Sequence, residues 1–237
     1  MPKDRQKETE IREDLAYQIQ SHQFAKDEKL PSEYELAEKY GVTRITIRNI
    51  YVTLREMGLI YSKQGIGHFV LGKIGNIEIP QKGRGSFTEK MREQDIPCET
   101  INIFCKPVLY SKNIFARLKA DENEAVYCIC RLRLLYKVPA AIHFSYLSKT
   151  RFPSIDREGP LITSIFDYYR QQGYRDFLDS AVTLSTSFPT RQEKTWLQCG
   201  SLVPLLVMVS DCIDADSMEI LETTRVIYRS DIFQHIL

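Results

Sequence analysis

Leu30-Pro31-Ser32-Glu33-Tyr34-Glu35-Leu36-Ala37-Glu38-Lys39-Tyr40-Gly41-Val42-Thr43-Arg44-Ile45-Thr46-Ile47-Arg48 holds two capped helices joined by a tight turn. Ser32, directly after Pro31, can accept from the Glu35 amide while the Glu35 carboxylate reaches back, a capping box that starts the first helix. Leu36, Ala37 and Tyr40 form its apolar stripe, and Gly41 ends it because glycine tolerates a positive φ. Thr43 is a natural N-cap for a second helix, whose inward positions Ile47, Ile50, Tyr51 and Leu54 follow the i, i+3, i+4, i+7 spacing of one buried face. Arg44, Thr46 and Arg48 fall off that stripe into the first turns, the part of a recognition helix that reaches base edges and phosphates.

Two helices of this kind also occur as plain core, so the following residues matter. Gly58-Leu59-Ile60-Tyr61-Ser62-Lys63-Gln64-Gly65-Ile66-Gly67-His68-Phe69-Val70 contains two short apolar strands around a Gly-x-Gly turn. That is the hairpin of a winged helix, with glycines where backbone must approach a duplex closely. Upstream, Ile11, Leu15, Ala16 and Ile19 predict a supporting helix over 8–20.

The chain's 237 residues suffice for two domains, and 43% hydrophobic with 27% charged residues is ordinary for a globular protein. No stretch has the apolar length of a membrane span and no apolar signal region follows Met1-Pro2-Lys3-Asp4-Arg5, so a cytoplasmic protein is expected. A net charge of +1 conceals an uneven distribution. Residues 1–38 carry six basic and ten acidic side chains, whereas 39–73 carry six basic ones against the single Glu56. The basic portion is the recognition helix and wing, the electrostatic footprint a polyanion requires. Cys98, Cys105, Cys128, Cys130, Cys199 and Cys212 lack zinc spacing and read as small buried hydrophobes, with neither metal nor cofactor expected.

Gly72, Lys73, Gly75, Pro80, Lys82, Gly83 and Gly85 mark a linker. The remainder repeats itself. A helix-like stretch over 111–118 precedes strands at 125–135 and 140–148, and a shift of 79 positions gives a helix at 190–197 with strands at 204–213 and 219–228. Two helix-plus-hairpin units pairing into one antiparallel sheet, helices on one face, make an α+β domain. The shift places His143 on Glu222, Ser145 on Thr224 and Arg131 on Ser210. Strand alternation puts Arg131 and Arg133 on one face, away from Cys128, Cys130 and Leu132, and groups Glu222, Thr224, Val226 and Tyr228. Such polar residues fit a solvent-facing sheet, an internal Arg–Glu pair, or a small polar ligand between the hairpins.

The blocks Leu30–Glu33, Gly41–Arg48, Gly58–Ile60 and Gly65–Val70 resemble the DNA-binding signature of GntR-family bacterial transcription regulators. Phe87-Thr88-Glu89-Lys90-Met91, Arg131-Leu132-Arg133, Ser145-Tyr146-Leu147 and 222–231 are similar to the effector-binding UTRA domain of the HutC-type subgroup, which has a chorismate-lyase-like fold. The resemblance implies an operator-facing set of Ser32, Glu33, Tyr34, Thr43, Arg44, Thr46, Arg48, Gly65, Gly67 and His68. Tyr34 stands where an arginine is usual and His68 where threonine is usual. It also implies an effector pocket of Phe87, Thr88, Arg131, Arg133, His143, Ser145, Ser164, Glu222, Thr224 and Tyr228. Histidine replaces the common glutamate at 143, which favours an anion such as a sugar phosphate, since forked guanidiniums suit phosphate or carboxylate.

The expectation is thus a winged helix over 1–72, a linker over 73–85 and an effector-binding, dimerising α+β domain over 86–237. The expected function is a ligand-responsive regulator, a repressor by preference, that binds a palindromic operator as a homodimer and is not an enzyme. Its rivals are a lyase-like enzyme, disfavoured by the lack of a nucleophile–base or metal set, and a ligand-independent dimeric DNA-binding protein.

Overall fold

The computed structural model describes residues 2–72, 77–78 and 86–234. The N-terminal part consists of α1 (Pro2–Gln20), α2 (Glu33–Tyr40), α3 (Arg44–Glu56), β1 (Ile60–Lys63) and β2 (Gly67–Val70). Its helix boundaries follow from local chemistry. Ser32 Oγ accepts from the Glu35 amide at 3.2 Å while the Ser32 amide donates to the Glu35 carboxylate at 2.6 Å. Gly41 closes α2 at φ +59° and Thr43 Oγ1 accepts from the Thr46 amide to open α3. α1 starts at Pro2 rather than at residue 8, a proline being compatible with the first helical position.

Ile47, Ile50, Tyr51 and Leu54 are fully buried, against Ile11, Leu15 and Ile19 of α1 and Leu36 of α2. Each such side chain contributes about 1.5–3 kcal/mol, so α3 is held by this face and not by its intrinsic helicity. Truncating Leu54 to alanine costs about 2–5 kcal/mol.

The second part contains α4 (Phe87–Glu93), β4 (Cys98–Pro107), α5 (Lys112–Leu118), β5 (Val126–Leu135), β6 (Val138–Ser148), α6 (Ile155–Glu158), a 3-10 turn (Gly159–Leu161), α7 (Ile165–Gln171), β7 (Phe177–Asp179), β8 (Thr183–Ser187), α8 (Arg191–Leu197), β9 (Leu205–Asp214) and β10 (Ile220–Arg229). The sheet order is β4-β5-β6-β10-β9-β7, with β8 also on β9, and every pairing is antiparallel.

The repeat is written in the register. Cys98 pairs with Leu135 as Phe177 pairs with Asp214, and Phe104 pairs with Cys130 as Thr183 pairs with Val209, each the 79-residue shift of the other. Both repeat helices end on a non-glycine residue in the left-handed region, Lys119 and Gln198. The strand preceding each helix also belongs to the repeat, which the sequence did not reveal. β4 bulges between Asn102 and Phe104, and its counterpart is broken into β7 and β8 at the equivalent place. Ser145 and Thr224, shift-mates, pair with each other where β6 meets β10, so a pseudo-two-fold axis passes there.

Only the repeat helices share a face as expected. Leu197 of α8 packs on Cys130, Leu132, Ile142 and Ile227, and Phe115 and Leu118 of α5 pack on Val126. The opposite face is covered by Ile165, Tyr168 and Tyr169 of α7 and by Phe87 and Met91 of α4. A sheet with apolar side chains on both faces must be covered twice. The expected linker over 73–85 is likewise anchored in its middle. β3 (Ile77–Glu78) pairs in parallel with β11 (Phe233–Gln234), and Ile77 is buried beside Phe87, Tyr228 and Phe233. Residues 73–76 and 79–85 of that expectation lie outside the described residues.

All six cysteines are free, and burial pushes the Cys128 and Cys130 thiols up to about 12. They act as small hydrophobes. Among the described residues no helix is long and apolar enough to cross a membrane, and no group of three or more His, Cys, Asp or Glu could hold a metal.

Candidate functional site

Two concave regions carry polar chemistry. The first lies between α2, the start of α3 and the β1–β2 hairpin, a groove of about 660 Å³ lined by Lys29, Ser32, Glu33, Tyr34, Arg44, Arg48, Arg55, Lys63, Gly65, Gly67 and His68. Gly65 takes φ +72° and Gly67 φ +140° in the hairpin turn, backbone that a side chain would strain. Basic residues outnumber Glu33 five to one around this groove. Glu33 is itself engaged. Arg48 Nε and Nη2 donate to its two carboxylate oxygens at 3.2 and 3.0 Å, a fork that fixes the guanidinium plane.

The second region is a cavity of about 130 Å³ between the sheet and helices α4 and α7. Arg131 and Arg133 from β5, His143 from β6, Ser210 from β9 and Glu222, Thr224 and Tyr228 from β10 reach it, with Phe87 and Lys90 from α4. The two guanidiniums are 1% and 2% exposed. Arg131 Nη2 donates to Ser145 Oγ at 2.6 Å, and Arg133 Nη1 donates to Thr100 Oγ1 and to the Thr163 carbonyl. Arg131 Nε and Nη1, Arg133 Nε and His143 Nε2 have no hydrogen-bond partner among the described residues. Burial pulls both guanidiniums down from their ordinary value, with the Glu222 carboxylate opposing it, yet arginine stays charged at neutral pH. Burial, then Arg133 and Arg131, hold His143 well below the usual imidazole range, so it is neutral. Phe87 stands edge-on to His143 at 4.9 Å and lies 5.5 Å from the Arg133 guanidinium. Two buried cations with unspent donors, a neutral imidazole and the Glu222 carboxylate thus line one small polar cavity.

A scan against known families matches "Bacterial regulatory proteins, gntR family" over residues 7–70 and the UTRA domain over residues 94–234. The chain belongs to the GntR family of bacterial regulators. Its second domain is a UTRA domain. It is 27% identical to the HTH-type transcriptional repressor NagR of Bacillus subtilis, over 84% of this chain and 81% of that one. It is 26% identical to a protein of Escherichia coli described as the probable fructoselysine utilization operon transcriptional repressor, over 82% of this chain and 79% of that one. The crystal structure of PhnF from Mycobacterium smegmatis superposes with a TM-score of 0.60 at 21% identity, covering 95% of this chain and 98% of that one, which supports the shared fold. A GntR regulator of this type acts on DNA and on a small-molecule effector, and it is not an enzyme.

Of the operator-facing residues expected from the GntR resemblance, all but Thr43 and Thr46 line the groove. Their hydroxyls lie 2.9 Å apart; Thr43 caps α3 by accepting from the Thr46 amide and Ser32 caps α2 by accepting from the Glu35 amide, so both shape helix starts. His68 does not present a free ring. Its Nδ1 is 2.9 Å from Ser62 Oγ, its ring lies 4.3 Å from that of Tyr51, and desolvation lowers its pKa. Tyr34, by contrast, is 62% exposed. Ile45 and Ile66, at 67% and 58% exposed, are apolar residues of the same N-terminal part, which a charge pattern does not mark.

Among the expected UTRA pocket residues, Phe87, Arg131, Arg133, His143, Glu222, Thr224 and Tyr228 converge on the cavity. Ser145 is fully buried and reaches it only through Arg131. Thr88 and Ser164 do not line it. On α4 the residue before Thr88, Phe87, takes the inward position, and Ser164 caps α7 through the Asp167 amide, facing a separate cleft over 158–172. Lys90, Ser210, Met208 and Phe166 complete the wall. Ser210 was signalled by the repeat, as the shift-mate of Arg131. Phe166 carried no signal, because α7 belongs to neither repeat unit.

Proposed function

We propose that the chain is a homodimeric repressor that reads a palindromic operator through Arg44 and Arg48 and lets go when its UTRA domain binds a small anion of the sugar phosphate class. The observation that carries the effector class is the pair of guanidiniums, buried and short of acceptors, at the Arg131–Arg133 cavity. A phosphate or carboxylate would accept from Arg131 Nε and Nη1 and from Arg133 Nε, with neutral His143 as a further neighbour. The cavity is smaller than the roughly 300 Å³ or more of a drug-sized site, which suits an anionic head group with a short polar body. The relative whose description refers to fructoselysine utilization supports a sugar-derived ligand.

In the groove, Glu33 orients Arg48, and Arg44 and Arg48 serve as the base or phosphate contacts. Edge strand β8 supports dimerisation. All five residues of β8 are exposed and uncharged, and no charged residue occurs over 180–190, although the chain is 27% charged. Natural edge strands normally carry charge or proline against chance pairing, so a second β8 laid antiparallel is its fitting partner.

Isothermal titration calorimetry of the full chain with a panel of phosphorylated sugars and their dephosphorylated counterparts tests the effector class. Binding of the phosphorylated members alone is expected. Binding by neutral or cationic compounds alone overturns the anionic assignment, and a thermal-shift screen with no response to any metabolite favours a ligand-independent dimer.

A further inference from the structure

Glu56, at the last residue of α3, does not point to solvent alone. Its carboxylate accepts from Lys194 Nζ at 2.9 Å and from the Ser201 amide at 2.7 Å, and its carbonyl accepts from the Leu202 amide at 2.9 Å. Lys194 Nζ also donates to Ser201 Oγ at 2.5 Å. The contact is close at the backbone level. A Cβ on Gly200 would fall inside the Glu56 main chain, and one on Gly58 would press on Val203. Three hydrogen bonds and two glycines therefore join the end of the recognition helix to the loop that follows α8. These groups hold the Glu56 carboxyl well below the usual range, at about 2, led by the Ser201 amide. Glu56 is the single acid of the basic stretch 39–73. A lone carboxylate in a basic stretch weakens that stretch's attraction for a polyanion, and its engagement with the other domain gives it a different use.

α8 is tied in turn to the strand that lines the cavity. Glu222, Thr224, Val226 and Tyr228 of β10 face the cavity. On the opposite face of β10, Arg225 donates to Glu193, the buried capping residue of α8, at 3.4 Å. Arg229 Nη1 donates to the Leu197 carbonyl at the end of α8 at 3.0 Å and to the Pro139 carbonyl at 2.9 Å. One strand thus presents alternate residues to the ligand cavity and to the helix whose loop grips the head.

We propose that Glu56 is a positioning residue: it locks the recognition helix to the UTRA domain through Gly200, Ser201, Leu202 and Lys194, so that movement of β10 and α8 re-aims the head on its operator. This rests on the cavity being the effector site, but its test needs no effector. Coupling between sites requires an element with two arrangements that both sites bias, and the rigid α8–loop unit is the candidate element.

The experiment uses the full chain, its Glu56→Gln and Gly200→Ala variants, and duplexes selected by the wild-type protein from a random library in which half-site spacing also varies. Hydrogen exchange reads the lock directly, since the exposed residues Ser201 and Leu202 owe amide protection to Glu56. Slow exchange at 201–202 in the wild type, faster by about tenfold in both variants, is expected. The variants should keep binding the selected duplexes, but the wild type's preference for one spacing should relax by about tenfold. Unprotected amides in the wild type overturn the proposal. So does an unchanged spacing preference in both variants, and so does an equal loss at every spacing, which marks a damaged head. Circular dichroism melts identify a variant that fails to fold, and the other variant then carries the test. A failed calorimetric titration would refute the effector site while leaving the lock standing.

Discussion

Arg44 and Arg48 on the groove and Arg131 and Arg133 at the cavity are the same residue type in opposite circumstances. The first pair stands in water, with Arg48 60% exposed in its side chain and steered by Glu33. An exposed ion pair of this kind contributes little to stability, so these arginines cost the fold almost nothing and remain free for a partner. The second pair is sealed inside the sheet with donors unspent. A buried cation with unmet donors costs several kcal/mol, and Glu222 offsets only part of that cost. Position off the buried stripe is therefore enough to expose the arginines proposed to read DNA, whereas those proposed to read a ligand are built into a core that disfavours them.

The contrast breaks most readily at the cavity. Arg133→Ala should weaken binding of an anionic sugar by about 2–5 kcal/mol in calorimetry, with affinity for a selected duplex unchanged. Equal loss at both sites would erase the distinction. Arg131→Met should abolish the same titration with affinity for a selected duplex unchanged, and denaturant unfolding reads what the buried guanidinium does for the fold. A less stable Arg131→Met protein would mean that Ser145 and Glu222 already satisfy the guanidinium.

At the groove, Arg48→Ala should cost roughly 1–3 kcal/mol of specific binding in a gel-shift series if it makes a bidentate base contact, with no effect on the melt. His143 supplies a smaller, pH-dependent effect. Its folded pKa lies below the unfolded value near 6.5, so the unfolded chain takes up a proton first as pH falls. Its contribution is complete above about pH 6.5 and declines below it by at most about 1.4 kcal/mol per unit. Melts of His143→Phe against wild type from pH 7.5 to 5.5 should show the slope reduced. The smallest change belongs to Lys63→Ala on the wing, which should lower the salt slope of DNA binding by about 1 and leave sequence preference intact.

How much of this was legible in advance depended on whether the signal was local. The α2 caps, Ser32 to Gly41, and the α3 cap and buried stripe, Thr43 to Leu54, each span no more than about a dozen residues, and they formed as their chemistry required. The repeat was visible as helix and hairpins, yet its first strand was hidden by the break between β7 and β8. Strand alternation put Arg131 with Arg133, the repeat put His143 on Glu222, and only the UTRA resemblance joined them in one pocket. Thr88 and Ser164 do not line the cavity because the rotation of a short helix on a sheet depends on what it packs against, here Phe87 on α4 and the Ser164 cap of α7. The hydroxyls of Ser32 and Thr43 illustrate a related limit: a residue type that can touch a phosphate can equally cap a helix, and residue type alone does not separate the two uses.

By itself the sequence determined a winged helix with a basic reading edge and a doubled antiparallel unit behind it, because capping, helical periodicity and strand alternation act over a few residues. Only the tertiary structure decided that Arg48 is aimed by Glu33, that four strands and α4 close one small cavity around two cations, and that Glu56 meets the loop after α8. Those contacts join residues far apart in the chain, and their geometry is fixed by packing, where burial and unpaired charge are weighed together.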